Sequence, residues 1–332
     1  MPRRRSASAR ASRRPIPAAD VARGTLSEFL ERARGEVDEA LDRWLPKPPV
    51  SPAVVAEAMR YSVFAGGKRL RPCLTIAAAE AVDSAGARRS GSPLALPAAC
   101  AIEMLHTYSL IHDDLPAMDN DTLRRGRATL HVVHGEGIAI LAGDGLHAEA
   151  FTLLAREPAD ADAEISRRKL EVLRVIGTAA GPAGMVGGQA IDLVAAGQTP
   201  APRVTLDAEA LQQMHARKTG ALIRAAAVSG AIMAGGSPPQ VAAADAFAIE
   251  IGLAFQIVDD ILDVEGDAAS LGKSAGKDAA GDKPTYPRLF GLERSRQLAD
   301  ECLVRAHRAL RDGGLSDSHL PAIAEWVVTR KN

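Results

Sequence analysis

The sequence predicts an all-α protein folded as one domain, on three observations. Apolar residues recur at three- and four-residue spacing from about Asp20 to the C-terminus, the period that gathers them on one face of a helix. Ala, Leu and Arg dominate, β-branched runs are few and aromatics make up only 3%, which favours helix over sheet. No segment reads as a strand, and no long linker divides the pattern. By length alone, 332 residues allow one large domain or two small ones; the unbroken pattern argues for one.

The elements follow from where Gly, Pro and Asp interrupt the periodicity. A helix is expected over 25–45, closing at Pro46, and a second over 52–65, closing at Gly66 and Gly67. The third and fourth, 70–83 and 96–114, flank a loop at 84–95, and the fourth must stop before Pro116. Next come 135–156, a loop at 157–163, and 164–180, which ends at Gly181 and Pro182. After a loop at 196–206 the pattern gives 207–232, interrupted by Gly220, then 240–264 behind Pro238 and Pro239. A Gly-, Lys- and Asp-rich loop at 266–286 precedes the last two helices, 288–313 and 318–330.

Composition excludes some functions. With 40 basic and 41 acidic residues, a net charge of −1 argues against a nucleic-acid binder, which shows a basic excess. Cys73, Cys100 and Cys302 are odd in number and lack metal or redox spacing, so a reduced cytoplasmic compartment is expected. No window approaches the roughly 18–20 uninterrupted apolar residues of a membrane span, and Arg224 interrupts the most apolar stretch; a soluble protein without stable membrane insertion is expected. The first seventeen residues carry six arginines and no acid. They read as a disordered basic tail over 1–19, with a transit peptide as the other reading, and the folded domain is placed at 20–332.

Two acidic segments echo each other, LIHDDLPAMD at 110–119 and FQIVDDILD at 255–263. In the second, Asp259 and Asp263 are four residues apart and so share a helix face, ~6 Å from each other. Gln256 joins that polar stripe on an otherwise apolar helix, the pattern of a helix lining a cavity. Like charges at this spacing repel, and a helix C-terminus disfavours negative charge as well. A cation must compensate. Carboxylates alone, with no His or Cys inside DDLPAMD or DDILD, select a hard ion such as Mg²⁺. In the first segment Pro116 forces a bend, on which Asp113 and Asp119 depend to converge.

Basic motifs accompany the acids. AGGKRLRP at 65–72 sets Lys68, Arg69 and Arg71 after two glycines, so that a tight turn can bring cations to an anion. Arg124 and Arg125 follow Asp119, to neutralise the aspartates or to hold a second anion. Lys218 and Thr219 lie just before Gly220, Lys273 and Lys283 lie in the Gly-rich loop as in a lid, and His106 lies ~10 Å along the helix from Asp113 on nearly the same face.

Together GGKRLRP, HTYSLIHDDLPAMDNDTLRRG, GMVGGQAIDL, HARKTGALIRAA, GLAFQIVDDILD, LGK and DKPTYP resemble the trans-isoprenyl diphosphate synthase family, closest to its bacterial farnesyl diphosphate synthases. The resemblance runs from about residue 25 to the C-terminus. It implies an isoprenoid synthase-type helical bundle around a central cavity, a polyprenyl synthetase domain that forms homodimers. Asp113, Asp119 and Asp259 match the principal Mg²⁺ ligands, with Asp114, Asp260 and Asp263 in supporting positions; three ions are implied, with Mn²⁺ as a substitute. Arg124, Lys218, Lys273 and Lys283 match the allylic diphosphate site, and Lys68, Arg71, His106 and Arg125 the isopentenyl diphosphate site. Thr219, Gln256 and the backbone near Lys218 match groups that face the carbocation formed when the allylic C–O bond breaks. The departing diphosphate takes the final proton, so no protein base is required. Tyr108, with Ser109 beside it, matches the floor that stops growth at fifteen carbons; it lies ~7.5 Å and roughly 140° from Asp113, so spacing alone does not aim it into the cavity. A geranylgeranyl diphosphate synthase is the alternative. A class I terpene cyclase, or a non-catalytic partner of a heteromeric synthase, is the more distant one.

Overall fold

The computed structural model describes residues 24–86, 91–159, 162–265 and 285–330. The basic tail at 1–19, Lys273 and Lys283 lie outside the described residues.

A capping box starts the first described helix: Thr25 accepts from Glu28 N–H while the Glu28 carboxylate accepts from Thr25 N–H, satisfying two donors that a helix N-terminus otherwise leaves unpaired. There follow α1 (Leu26–Trp44), α2 (Ala53–Val63), α3 (Leu70–Gly86), α4 (Gly91–Asp113), α5 (Leu130–His134), α6 (Glu136–Arg156), α7 (Ala163–Ala180), α8 (Met185–Ala196) and α9 (Ala208–His215). A π-helical turn, Ala216–Gly220, joins α9 to α10 (Ala221–Met233), and α11 (Pro238–Glu265), α12 (Tyr286–Phe290), α13 (Leu292–Asp312) and α14 (Leu320–Thr329) complete the described chain. The expected all-α class holds.

α10 is the axis of the bundle. Every residue from Leu222 to Met233 is buried except Arg224, because α3, α4, α7 and α11 pack around it. A helix covered on all sides must be apolar on all sides. The same logic corrects the expectation about membrane-length segments: Ser92–Asp113, Glu136–Arg156 and Pro238–Glu265 are long and apolar enough by length and composition to cross a membrane. In the fold, 67% and 50% of the first and third windows are buried inside the bundle. α6, the middle one, is 39% buried and leaves Ile140 and Leu141 exposed.

Other departures have local causes. α8 was not expected, since Pro182, Gly184, Gly187 and Gly188 lower helix propensity; its close packing on the π turn overrides propensity. The single helix expected over 207–232 is divided by that turn, and the short helices α5 and α12 were not expected. The expected absence of strands also fails in a small way: Leu123–Arg124 pairs antiparallel with Arg127–Ala128, and Arg125 takes φ 53° at the turn between them.

Candidate functional site

One cavity of about 800 Å³ collects most of the expected residues. It is lined by Lys68, Arg71, His106, Tyr108, Ser109, Asp113, Asp119, Arg124, Arg125, Lys218, Thr219 and Asp259, with Met118, Val186, Leu193 and Phe255 among its apolar walls. A second groove of about 920 Å³ lies between α7, α10 and α11. It holds none of the aspartate clusters, and arginines on its rim pair with Glu164, Glu171 and Asp245.

The bend at Pro116 brings the first cluster together, as its sequence requires. α4 ends at Asp113, and the returning chain donates from Asp119 N–H to the Asp113 carbonyl at 2.9 Å. Burial, with Asp119 and Asp114 adding to it against Lys218 and Arg124, pushes the Asp113 carboxyl up to about 6. Its neighbour behaves differently. Asp114 is 4% exposed and takes both Nε (2.9 and 3.0 Å) and Nη2 (2.6 Å) of Arg124. Arg124 therefore neutralises an aspartate, one of its two expected uses, while still lining the cavity.

α11 divides its acids in the same way. Asp259 faces the cavity, whereas Asp260 is buried against Gln256 and the Tyr286 backbone. Asp263 sits one turn beyond Asp259 on the same helix and is not among the residues that line the cavity. Gln256 stands just behind the wall, with Oε1 3.2 Å from Thr219 Oγ1.

The π turn aims Lys218 and Thr219 inward. π turns interrupt α-helices at functional sites, and this one is wedged by α8: a Cβ on Gly188 would sit 2.2 Å from Lys218 N and 2.6 Å from its Cα. Lys218 Nζ bonds Asp192 at 2.6 Å. Burial alone would lower its proton affinity, but Asp192, Asp113 and Asp119 outweigh that and hold Lys218 charged.

The opposite wall is cationic. Gly67 has φ +137°, a conformation that suits glycine, and a Cβ there would lie 2.5 Å from Arg125 Nη1, so a side chain at 67 would push Arg125 from the Gly66 carbonyl that it donates to. Arg71 Nε is buried with no partner among the described residues. Lys68 lies over the Trp326 ring, its proton affinity lowered by burial and by Arg330. His106 is held well below its ordinary value by burial and by Arg71, so it is a neutral imidazole. Arg69, by contrast, turns into the core at φ 51° and bonds Glu103 (2.7 Å), Asp38 (3.0 Å) and the Val63 carbonyl (2.6 Å). It is a structural residue.

The sequence reading missed three residues of the cavity region. Asp192 pins Lys218, and Gln189 lines the cavity with both amide atoms buried and unpartnered among the described residues; GMVGGQAIDL carries both. Arg330 bonds the Phe255 carbonyl at 2.8 Å and Asp259 at 2.7 Å, and nothing local in the sequence signals it.

The donor set suits a hard divalent ion shared with a ligand. Among the described residues no three His, Cys, Asp or Glu side chains form a metal-holding group, but Asp113, Asp119 and Asp259 line one cavity with oxygen donors. Mg²⁺ is held by one or two carboxylates with waters and phosphates, not by an all-protein cage. Tyr108 closes part of the cavity wall: its ring packs at 5.1 Å from both His112 and His147.

Comparison with known proteins identifies the family. Residues 52–312 match the Polyprenyl synthetase family. The chain is 47% identical to geranylgeranyl pyrophosphate synthase 7, chloroplastic, of Arabidopsis thaliana, over 89% of this chain and 81% of that one. It is 45% identical to the farnesyl diphosphate synthase of Escherichia coli (strain K12), covering 91% and 97%. The crystal structure of an FPP/GFPP synthase from Zymomonas mobilis superposes with a TM-score of 0.77 at 37% identity, covering 92% of this chain and 99% of that one. The all-α isoprenoid synthase-type bundle, the cavity and these likenesses together establish that the chain belongs to the polyprenyl synthetase family of short-chain trans-prenyltransferases.

Proposed function

We propose that the protein is a farnesyl diphosphate synthase that condenses isopentenyl diphosphate head-to-tail with dimethylallyl and then geranyl diphosphate. The observation that carries this reading is one cavity with Asp113, Asp119 and Asp259 among its acids, Lys68, Arg71 and Arg125 on a cationic wall, and the Tyr108 ring in its lining. Magnesium held by those acids would supply charge neutralisation to the leaving diphosphate.

The chain's own residues do the rest. Lys218 and Arg124 meet the allylic diphosphate, joined by Lys273 and Lys283. Lys68, Arg71 and Arg125 hold isopentenyl diphosphate, and His106, being neutral, donates one N–H to it. Thr219, backed by Gln256, and the backbone at Lys218 offer oxygen lone pairs to the carbocation left by C–O cleavage. The π-bond of isopentenyl diphosphate attacks that carbon, and the departed diphosphate takes the proton.

Tyr108 favours fifteen carbons because an aromatic ring shortens the space open to a growing chain. The likeness to plant geranylgeranyl pyrophosphate synthases supports a twenty-carbon product as the second reading. The cationic wall disfavours a terpene cyclase, which has no second diphosphate to bind. We further propose a homodimer in the cytoplasm, binding no nucleic acid; the free, buried Cys73, Cys100 and Cys302 suit a reducing compartment. Incubation with Mg²⁺ and both five-carbon diphosphates, followed by mass analysis, tests the reading: farnesyl diphosphate supports it, geranylgeranyl diphosphate transfers it to the second, and cyclic hydrocarbon or no turnover rejects it.

A further inference from the structure

Asp260 is 6% exposed, and among its hydrogen bonds within the described residues it accepts from Gln256 Nε2 at 2.8 Å and from Tyr286 N–H at 2.9 Å. Gln256 Oε1 lies 3.2 Å from Thr219 Oγ1, and Thr219 lines the cavity. The series runs from the start of α12 through α11 to the π turn. It has a direction.

We propose that Asp260 is a positioning residue, not a metal ligand, and that it fixes the polarity of the Thr219 hydroxyl. A carboxylate offers only acceptors, whereas an amide can present either end. Asp260 therefore draws the NH₂ of Gln256 toward itself and turns its carbonyl oxygen to Thr219. Thr219 must then donate its one hydrogen to Gln256, which leaves its lone pairs to the cavity. A cation formed beside Lys218 meets an electron-rich oxygen. With the amide reversed, the hydroxyl would accept from Nε2 and point its hydrogen at the cation instead. Asp260 cannot leave its place cheaply, since the buried Tyr286 N–H would lose its acceptor.

This inference rests on the prenyl-transfer reading above, and its test separates the two. Asp260→Asn keeps the shape and adds a donor: the new amide still accepts from Tyr286 N–H but now donates toward residue 256, reversing the Gln256 amide. The expected result is a fall in kcat of about 10²-fold, with KM for both diphosphates and Mn²⁺ binding in the presence of inorganic diphosphate, read by electron paramagnetic resonance, within twofold of wild type. Combining it with Gln256→Glu restores the pattern, because the new carboxylate accepts from both neighbours; kcat is expected to recover at least tenfold over Asp260→Asn alone. Gln256→Glu by itself sets two carboxylates face to face and stays impaired. Unchanged kcat in Asp260→Asn, loss of Mn²⁺ binding, no recovery in the double variant, or equal activity in Gln256→Glu alone each overturns the proposal. Should Asp260→Asn not fold, neutron diffraction on the wild type decides: deuterium on Thr219 Oγ1 directed at Gln256 supports it, deuterium directed into the cavity overturns it. A wild type that elongates nothing refutes the functional reading and leaves the neutron result to judge the hydrogen-bond assignment.

Discussion

Gly188→Ala is a one-methyl test of how the site is held. The added Cβ would sit 2.2 Å from Lys218 N and 2.6 Å from its Cα, where ordinary contact starts near 3.4 Å. Neither atom can rotate away, because both are backbone. α8 and the π turn must part by about 1 Å, and a misplacement of that size at reacting groups lowers turnover by about 10²-fold. Asp192, one turn along α8 from Gly188, pulls Lys218 Nζ toward the same helix, so the shift strains the clamp at both ends. Overpacking itself destabilises by about 1–3 kcal/mol, which leaves a large domain folded. Steady-state kinetics and thermal melts followed by circular dichroism would show kcat down about 10²-fold, a melting point only a few degrees lower, and a smaller change in KM for isopentenyl diphosphate, whose proposed cations lie on other elements. Gly35→Ala, with nothing within 4 Å of its new methyl, is the control and should be neutral or slightly stabilising. A folded Gly188→Ala enzyme turning over within threefold of wild type would refute the view that this contact places Lys218 and Thr219.

Three further outcomes are expected. Tyr108→Ala should lengthen the longest product seen by mass analysis; an unchanged product removes Tyr108 from the floor. In metal-free buffer the adjacent aspartates should act in opposite directions: Asp114→Ala leaves the half-buried Arg124 without its carboxylate and destabilises by about 1–3 kcal/mol, while Asp113→Asn, relieving a carboxyl raised to about 6, stabilises at neutral pH by on the order of 2–3 kcal/mol, with urea denaturation as the check for both. His106 has a depressed folded pKa, so its contribution is present above the unfolded value of about 6.5 and lost as pH falls below it. Between pH 6 and 5 the wild type should lose stability faster than His106→Gln by up to about 1.4 kcal/mol per pH unit; equal slopes in urea titrations would show that the imidazole is protonated in the folded protein.

The sequence by itself determined the helical class, the membership of most site residues and the kind of ion they suit. Those depend on local rules: a 3.6-residue period, a proline that must bend the chain between Asp113 and Asp119, and oxygen donors without nitrogen or sulfur. Only the tertiary structure decided which member of each acidic pair faces the cavity. Asp113 and Asp114, like Asp259 and Asp260, are neighbours in sequence but point in directions set by Arg124, which returns past the bend, by Gln256 one turn back on the same helix, and by the Tyr286 backbone, which arrives from a later segment. The same holds for Arg69, whose core partner Glu103 lies on another helix, and for Arg330, which reaches Asp259 across 71 residues. α8 and the π turn were illegible for a related reason. Glycine lowers helix propensity wherever it stands, and the close backbone contact that makes Gly188 fit exists only once two distant segments have met.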